Sequence, residues 1–192
     1  MRKLTLQVQI SIDGYIAPTK NTGHWLVWGW GPEWTWDEAL RTRFNNLHTS
    51  IDTVLLSKNM AEEGFINHWA TVSSNPDDPQ YPFAKSITDA AKVVFTKTIK
   101  KSAWPNTTLA KGDLATEVNK LKNTPGKDLI VYGGASFVSA LIQANLIDEF
   151  LLFVNPVTLG EGLPIFHERR DLRLVSSQGY ACGVTVMHYA AK

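Results

Sequence analysis

Three short stretches of this 192-residue chain combine donors with cations or glycines in a way that suits an anionic ligand: Ser57-Lys58-Asn59, Thr96-Lys97-Thr98 and Gly133-Gly134-Ala135-Ser136-Phe137. A lysine offers a phosphate a compact positive charge, and neighbouring hydroxyls add hydrogen-bond donors for its oxygens. A glycine pair permits backbone conformations and close approaches that a Cβ blocks, and the free N–H groups of a following helix can face a phosphate. Each stretch alone has a plainer reading, as solvated loop lysines or a tight turn, and the glycines lack the full G-x-G-x-x-G spacing. Taken together they favour a local anion site.

The elements that would position these stretches follow from periodicity. Leu129-Ile130-Val131-Tyr132 is an apolar run that fits a buried parallel strand, and Phe137, Leu141, Ile142 and Ala144 repeat at helical spacing directly after the glycines. Further strands are expected near 4–12, 53–57, 93–96, 107–110, 150–156, 172–177 and 183–190. Thr35-Trp36-Asp37-Glu38 has the spacing of a capping box, and Trp36, Leu40, Phe44 and Leu47 form one face of a helix over 36–48. Helices are also expected over 58–65, through Leu114, Val118 and Leu121 up to Pro125-Gly126, and from Gly134 to about Asn145. Residues 66–83, with Asn75-Pro76-Asp77-Asp78-Pro79 and Pro82, read as a long surface loop. Alternating strands and helices imply a mostly parallel sheet covered on both faces, and two successive strands with Gly179 near the turn imply an antiparallel C-terminal edge. In such sheets ligands lie beyond the carboxyl ends of the strands, where all three polar stretches fall.

Bulk properties narrow the function classes. At 44% hydrophobic residues the chain supports one well-buried core, so we expect a single domain over 1–192. Nineteen basic against eighteen acidic residues give a net charge of +1, so no global field favours nucleic acid or an anionic membrane, and neither is expected as a partner. Arg169-Arg170 beside Glu168 and Asp171 reads as a solvated turn. Lone Cys182 has no internal disulfide partner, and no apolar run approaches the roughly 20 residues that span a bilayer. After Met1-Arg2-Lys3 the chain alternates as a strand rather than as a signal peptide. A cytoplasmic protein without a metal site is expected, since the five histidines show no ligand spacing.

Ser11-Ile12-Asp13-Gly14-Tyr15-Ile16-Ala17 follows the first strand, and with it a family likeness emerges. The chain resembles the dihydrofolate reductase-like superfamily, and within it stand-alone relatives of the C-terminal reductase domain of the bifunctional riboflavin-biosynthesis deaminase-reductase. The matching pieces, in family order, are Ser11 to Ala17, Val94-Phe95-Thr96-Lys97-Thr98, Tyr132-Gly133-Gly134-Ala135, and Leu146-Ile147-Asp148-Glu149-Phe150 running into Asn155-Pro156-Val157-Thr158-Leu159-Gly160-Glu161-Gly162. The resemblance implies a three-layer α/β fold with a mixed, mostly parallel sheet of about eight strands and about four flanking helices. It implies NADPH as cofactor, a flat heterocycle as substrate, and a homodimer. It puts the pyrophosphate at Gly133, Gly134, Ala135 and Ser136 with Phe137 beside it, a cis peptide between the two glycines, the adenosine ribose and 2′-phosphate at Thr96, Lys97 and Thr98, and the nicotinamide near Ile16 and Ala17. Ser57-Lys58, with Asn59 following, stands where the superfamily often has Gly-Arg, which replaces a forked guanidinium by a point charge. The deaminase portion has no counterpart, since neither H-x-E nor C-x-x-C occurs.

Two carboxylates are candidates for the catalytic acid. Asp37, with Glu38 beside it, lies near the helix where dihydrofolate reductases carry theirs, but as a first-turn residue it serves the helix cap before any acid role; Asp13 serves its own turn before Gly14 at least as readily. Trp25, Trp28, Trp30, Trp34 and Trp36 crowd into twelve residues. The segment suits an aromatic wall for a planar substrate, with Trp25, Trp28 and Trp30 as its candidates, or a subunit interface, or simple packing over the sheet. The reading is an NADPH-dependent reductase of a pterin or ribosylamino-pyrimidine-like substrate. Its rival is a nucleotide-binding or protein-interaction module that keeps the scaffold without turnover.

Overall fold

A computed structural model describes residues 1–20 and 23–192. Strand β1 (Leu4–Ile10) shows why the sheet is central. Its alternation of Leu4, Leu6, Val8 and Ile10 with Thr5, Gln7 and Gln9 would suit a strand with one wet face, yet all seven residues are buried. The reason is position: β1 lies between β6 (Asp128–Val131) and β7 (Glu149–Val154), parallel to both, with Leu6 opposite Val131 on one side and Phe150 on the other.

The eight-stranded sheet runs β5-β4-β3-β6-β1-β7-β10-β9, where β3 is Ile51–Ser57, β4 Ala91–Phe95, β5 Thr107–Ala110, β9 Leu172–Gly179 and β10 Thr185–Ala191. The first six strands in this order are parallel; β10 pairs antiparallel with β7 and with β9, as the C-terminal pattern predicts. A separate ribbon, β2 (Tyr15–Pro18) with β8 (Gly162–Pro164), escapes the sequence reading, because each strand is short and its partner lies far along the chain.

Among the described residues six helices flank the sheet: α1 (Glu38–His48), α2 (Lys58–Glu62), α3 (Phe65–Val72), α4 (Tyr81–Asp89), α5 (Leu114–Asn123) and α6 (Ala135–Gln143). The expected single helix over 58–65 is cut by Gly64 at φ 98°, a left-handed conformation open to glycine. The expected long loop over 66–83 is instead mostly helical. Phe65, Ile66 and Trp69 give α3 an apolar stripe, and Pro82 sits in the first turn of α4, where a missing N–H costs nothing.

Two apolar cores result, one per face. The first joins Trp28, Trp34 and Trp36 to Phe44, Trp69, Phe83 and Phe153 under α1, α3 and α4; the second joins Leu6, Val8 and Leu55 to Val118, Val138 and Leu141 under α5 and α6. Most of the tryptophan segment is therefore core. Its backbone is tied to the sheet by Gln9, whose Nε2 donates to Trp28 O at 2.9 Å, and by Asn155, whose Oδ1 accepts from Val27 N at 2.8 Å. Among the described residues no helix is long and apolar enough to cross a membrane.

Candidate functional site

The carboxyl ends of β3, β4 and β6 converge on the join between β6 and α6. Gly133 is buried with open space where a Cβ would stand, and Gly134 has φ 81° with its Cβ position 3.0 Å from Ser57 Oγ. A side chain at 134 would thus meet both backbone strain and a close neighbour. Gly134 is also the N-cap of α6 and gives it no side-chain hydrogen bond, so the first-turn N–H groups are left facing outward. The Gly133–Gly134 peptide is trans, which corrects the cis bond implied by the family resemblance. Ser57 in turn caps α2, its Oγ accepting from Met60 N at 3.2 Å.

Two clefts lie on either side of this join, whose own residues Ser57, Gly133, Gly134, Ala135 and Ser136 line neither of them. The first, about 460 Å³, is lined by Lys58, Phe95, Thr96, Lys97, Thr98, Ala110, Gly112, Asp113, Leu114 and Phe137. Thr96 is buried and shapes the loop: its Oγ1 accepts from Thr98 N at 3.2 Å and Ile99 N at 3.1 Å. Lys97 Nζ donates to Lys111 O and Gly112 O, each at 2.6 Å, while Lys58 lies 3.7 Å from Glu62. Both lysines are on long side chains at the rim, able to reach an incoming anion. Asp113 caps α5 by accepting from Thr116 N, and the Thr116 backbone and hydroxyl, with Lys97 nearby, hold its carboxyl below the usual range.

The second cleft, about 440 Å³, is lined by Trp30, Met60, Glu63, Gly64, Phe65, His68, Trp69 and Tyr132. Helix α2 thus gives Lys58 to one cleft and Met60 to the other, and the β6–α6 connection gives Phe137 to one and Tyr132 to the other. The Tyr132 ring is fixed from below. His48 Nδ1 lies 2.7 Å from Phe44 O, an acceptor, so Nδ1 carries the proton and Nε2 accepts from the Tyr132 hydroxyl at 2.6 Å. Burial pushes His48 down to about 4 and Tyr132 well above its ordinary value, so both are neutral.

Other expected residues lie elsewhere. Trp28, a candidate substrate contact, is 1% exposed and stacks on Trp34 at 4.8 Å, supporting Trp30 from the core; Trp25 does not line the aromatic cleft. Ile16 and Ala17 belong to β2, and neither lines either cleft; Ile16 packs against the core under α5 and α6. Asn59 is exposed on α2 outside both linings. Ala135 and Ser136 open α6 beside the glycines. The two candidate acids are engaged structurally. Asp13 is held below the usual carboxylate range by Ser11 and by accepting from Leu159 N and Gly160 N, the latter at 2.7 Å. Asp37 is lowered by Cys182 N at 3.0 Å and then by Leu40 N, which it caps at the start of α1. Both are ionised at neutral pH and outside the clefts, so neither is placed to deliver a proton there.

Sequence reasoning missed Met60, Glu63, Phe65, His68 and Trp69 as site residues. The signal lay in the Phe65, Ile66, Trp69 spacing, which predicts an apolar helical stripe. No cluster of ligands able to hold a metal occurs among the described residues.

Known proteins resemble this chain in sequence and in fold. Residues 2–186 match the family of the RibD C-terminal domain. The uncharacterized protein YyaP of Bacillus subtilis strain 168 is 29% identical over 194 residues, spanning 98% of this chain and 94% of that one. A putative riboflavin biosynthesis protein from Shewanella sp. PV-4 superposes with a TM-score of 0.68 at 20% identity, over 100% of this chain and 99% of that one. RibD of Acinetobacter baumannii gives a TM-score of 0.68 at 15% identity, over 100% of this chain and 58% of that longer one. At these identities the two structures speak for a common fold, while the match along nearly the whole sequence decides kinship: the chain belongs to the RibD C-terminal domain family.

Proposed function

We propose that this protein is an NADPH-dependent reductase that passes a hydride to a planar heterocycle of pterin or ribosylamino-pyrimidine type. The observation that carries the reading is the pair of clefts on either side of the β6–α6 join, one with Lys58, Lys97 and Thr98 at its rim and one walled by aromatic rings. The residues fit a dinucleotide: a Cβ at 134 would fill the cradle against Ser57, and α6 leaves its first-turn donors uncapped by any side chain. Ser57, Gly133, Gly134 and the first turn of α6 would hold the pyrophosphate, and Thr98, Lys97 and Lys58 the ribose and its 2′-phosphate. Bound there, NADPH supplies the hydride.

The chain contributes orientation. Tyr132, locked by His48, and Trp30 flank the aromatic cleft, so a flat ring held against them has few poses from which to react. The rings also displace water from its faces. The proton that accompanies the hydride comes from water, since Asp13 and Asp37 are ionised and committed to backbone donors. Exposed Leu174 and Val175 on the edge strand β9 favour a homodimer through that edge.

The test is a titration with NADPH and separately NADH, followed by tryptophan quenching and energy transfer to the reduced nicotinamide. NADPH should saturate, with NADH roughly tenfold weaker for lack of the phosphate that the lysines meet. Binding of neither would remove the reductase reading and favour an interaction module on the same scaffold.

A further inference from the structure

The charge of the aromatic cleft restricts what can enter it. Its lining holds one carboxylate, Glu63, and no Lys or Arg. Glu63 is exposed at the end of α2 and makes no ion pair with any described residue, unlike its neighbour Glu62, which faces Lys58. The arginines that α1 brings into the region serve elsewhere. Arg43 donates to Gln178, to the Tyr180 hydroxyl and to Ser176, towards the β9 edge, and the Arg41 guanidinium lies 5.9 Å from the Trp34 ring centroid. Lys58 lines the neighbouring cleft. Of the other polar lining side chains, Tyr132 turns its hydroxyl to His48, and His68 packs edge-on to Trp69 with centroids 4.5 Å apart.

The walls are aromatic rings packed on one another. Trp30 lies 5.7 Å from Trp69 and 6.3 Å from Tyr132, and Phe65 lies 5.8 Å from Tyr132. Trp30 takes φ 64°, a left-handed conformation that costs a bulky residue energy and persists where its surroundings impose it. The surroundings are the ring of Trp28 at 4.4 Å beneath it and the glycines on either side.

We infer that this cleft takes a flat nitrogen heterocycle that carries no phosphate, with ring or amino N–H groups turned to Glu63. This rests on the reductase reading and narrows its substrate. A phosphomonoester would bring about two negative charges into an aromatic cleft that offers a carboxylate and no cation. An N–H edge instead gives Glu63 charge-assisted hydrogen bonds while one ring face lies on Trp30 and the ring edge meets Tyr132, whose plane stands at 74° to that of Trp30. Among candidate heterocycles the geometry selects the unphosphorylated ones over pyrimidines bearing a ribose phosphate.

The experiment is calorimetric titration of the full chain with 6-hydroxymethylpterin and with its phosphomonoester, with and without saturating NADP⁺, which keeps the ester from the polar cleft. The free pterin should bind at least about tenfold tighter than its ester. Glu63→Gln should remove most of that preference and Glu63→Lys should reverse it, and neither exposed substitution touches the core. Equal or tighter binding of the ester to the wild type, binding of neither probe, or an unchanged preference in Glu63→Lys would overturn the inference. If the preference and its reversal appear but NADP⁺ does not bind, the ring site stands and the reductase reading falls. If NADP⁺ binds and the preference is missing, the inference alone falls.

Discussion

The two clefts share α2 and the β6–α6 join, yet they are built by opposite physics. The lysine-rimmed cleft combines Lys58, Lys97, Thr98 and Asp113 with the apolar Phe95, Leu114 and Phe137, on a loop whose geometry Thr96 sets. The aromatic cleft is made of rings locked by burial, with Tyr132 pinned through His48 and Trp30 resting on Trp28. One side of the join therefore offers positive charge to a ligand, and the other an aromatic surface that selects ligands by shape. A reductase needs both, because the dinucleotide is held mostly by its phosphates and the reacting ring by its faces.

Acid should separate them most strongly. His48 is neutral in the fold, with a pKa near 4, against about 6.5 when unfolded. As pH falls through 6.5 the unfolded chain takes up a proton that the native state excludes, so stability falls until pH 4, where both forms are protonated. The loss is roughly 3 kcal/mol over that window. Chemical denaturation of the wild type and of His48→Gln between pH 7 and 4 should show the wild type losing this much more than the variant. Equal slopes would mean that His48 is not the buried neutral base on which the Tyr132 ring stands.

The glycine join beside the lysine-rimmed cleft has its breaking point at Gly134. Gly134→Val forces a branched side chain into φ 81° and against Ser57, and we expect NADPH affinity to drop about 100-fold with the domain still folded. Unchanged affinity, read by energy transfer alongside a circular dichroism spectrum, would take the join out of the cofactor site.

How the two clefts show in sequence also differs, for the same reason. Gly133-Gly134, Thr96-Lys97-Thr98 and Ser57-Lys58 are local signals, because each polar tip is a contiguous stretch at a strand end, and parallel strands bring such ends together. The alternation of strands and helices made the sheet legible, including its antiparallel edge. The aromatic cleft depends on Glu63, Phe65, His68 and Trp69 meeting Trp30 and Tyr132, residues that only tertiary packing unites. Asn75 to Pro79 and Pro82 made residues 66–83 resemble a loop and hid α3, since proline is punctuation inside a helix but is at home in its first turn. Asp13 and Asp37 take up in the fold the turn and cap roles that their positions beside Gly14 and at the start of α1 suggest, each accepting from backbone N–H groups.

A crossed pair of variants sharpens the division of labour. Trp30→Ala should raise the KM for the heterocycle about tenfold and leave NADPH affinity unchanged, while Lys97→Ala should weaken NADPH by about the same factor and leave NADH and the heterocycle KM alone. An effect of Trp30→Ala on cofactor affinity equal to that of Lys97→Ala would merge the two clefts into one site.

The smallest effect tests the sign of charge within the polar cleft. Asp113 is its one acidic lining residue, set among Lys58, Lys97 and Thr98, and would repel a 2′-phosphate that the lysines attract. Its carboxylate is also the N-cap of α5, so removing it outright would confuse charge with helix stability. Asn keeps an N-cap oxygen for Thr116 N and drops only the charge. Asp113→Asn should therefore leave the thermal midpoint unchanged and tighten NADPH about twofold, with NADH unaffected, because an exposed charge acts weakly through solvent. The gain should shrink as salt is raised. A gain shared equally by NADH would place the effect on the pyrophosphate rather than the 2′-phosphate, and would move the phosphate-reading role from Lys97 towards the Gly133-Gly134 end of the cleft.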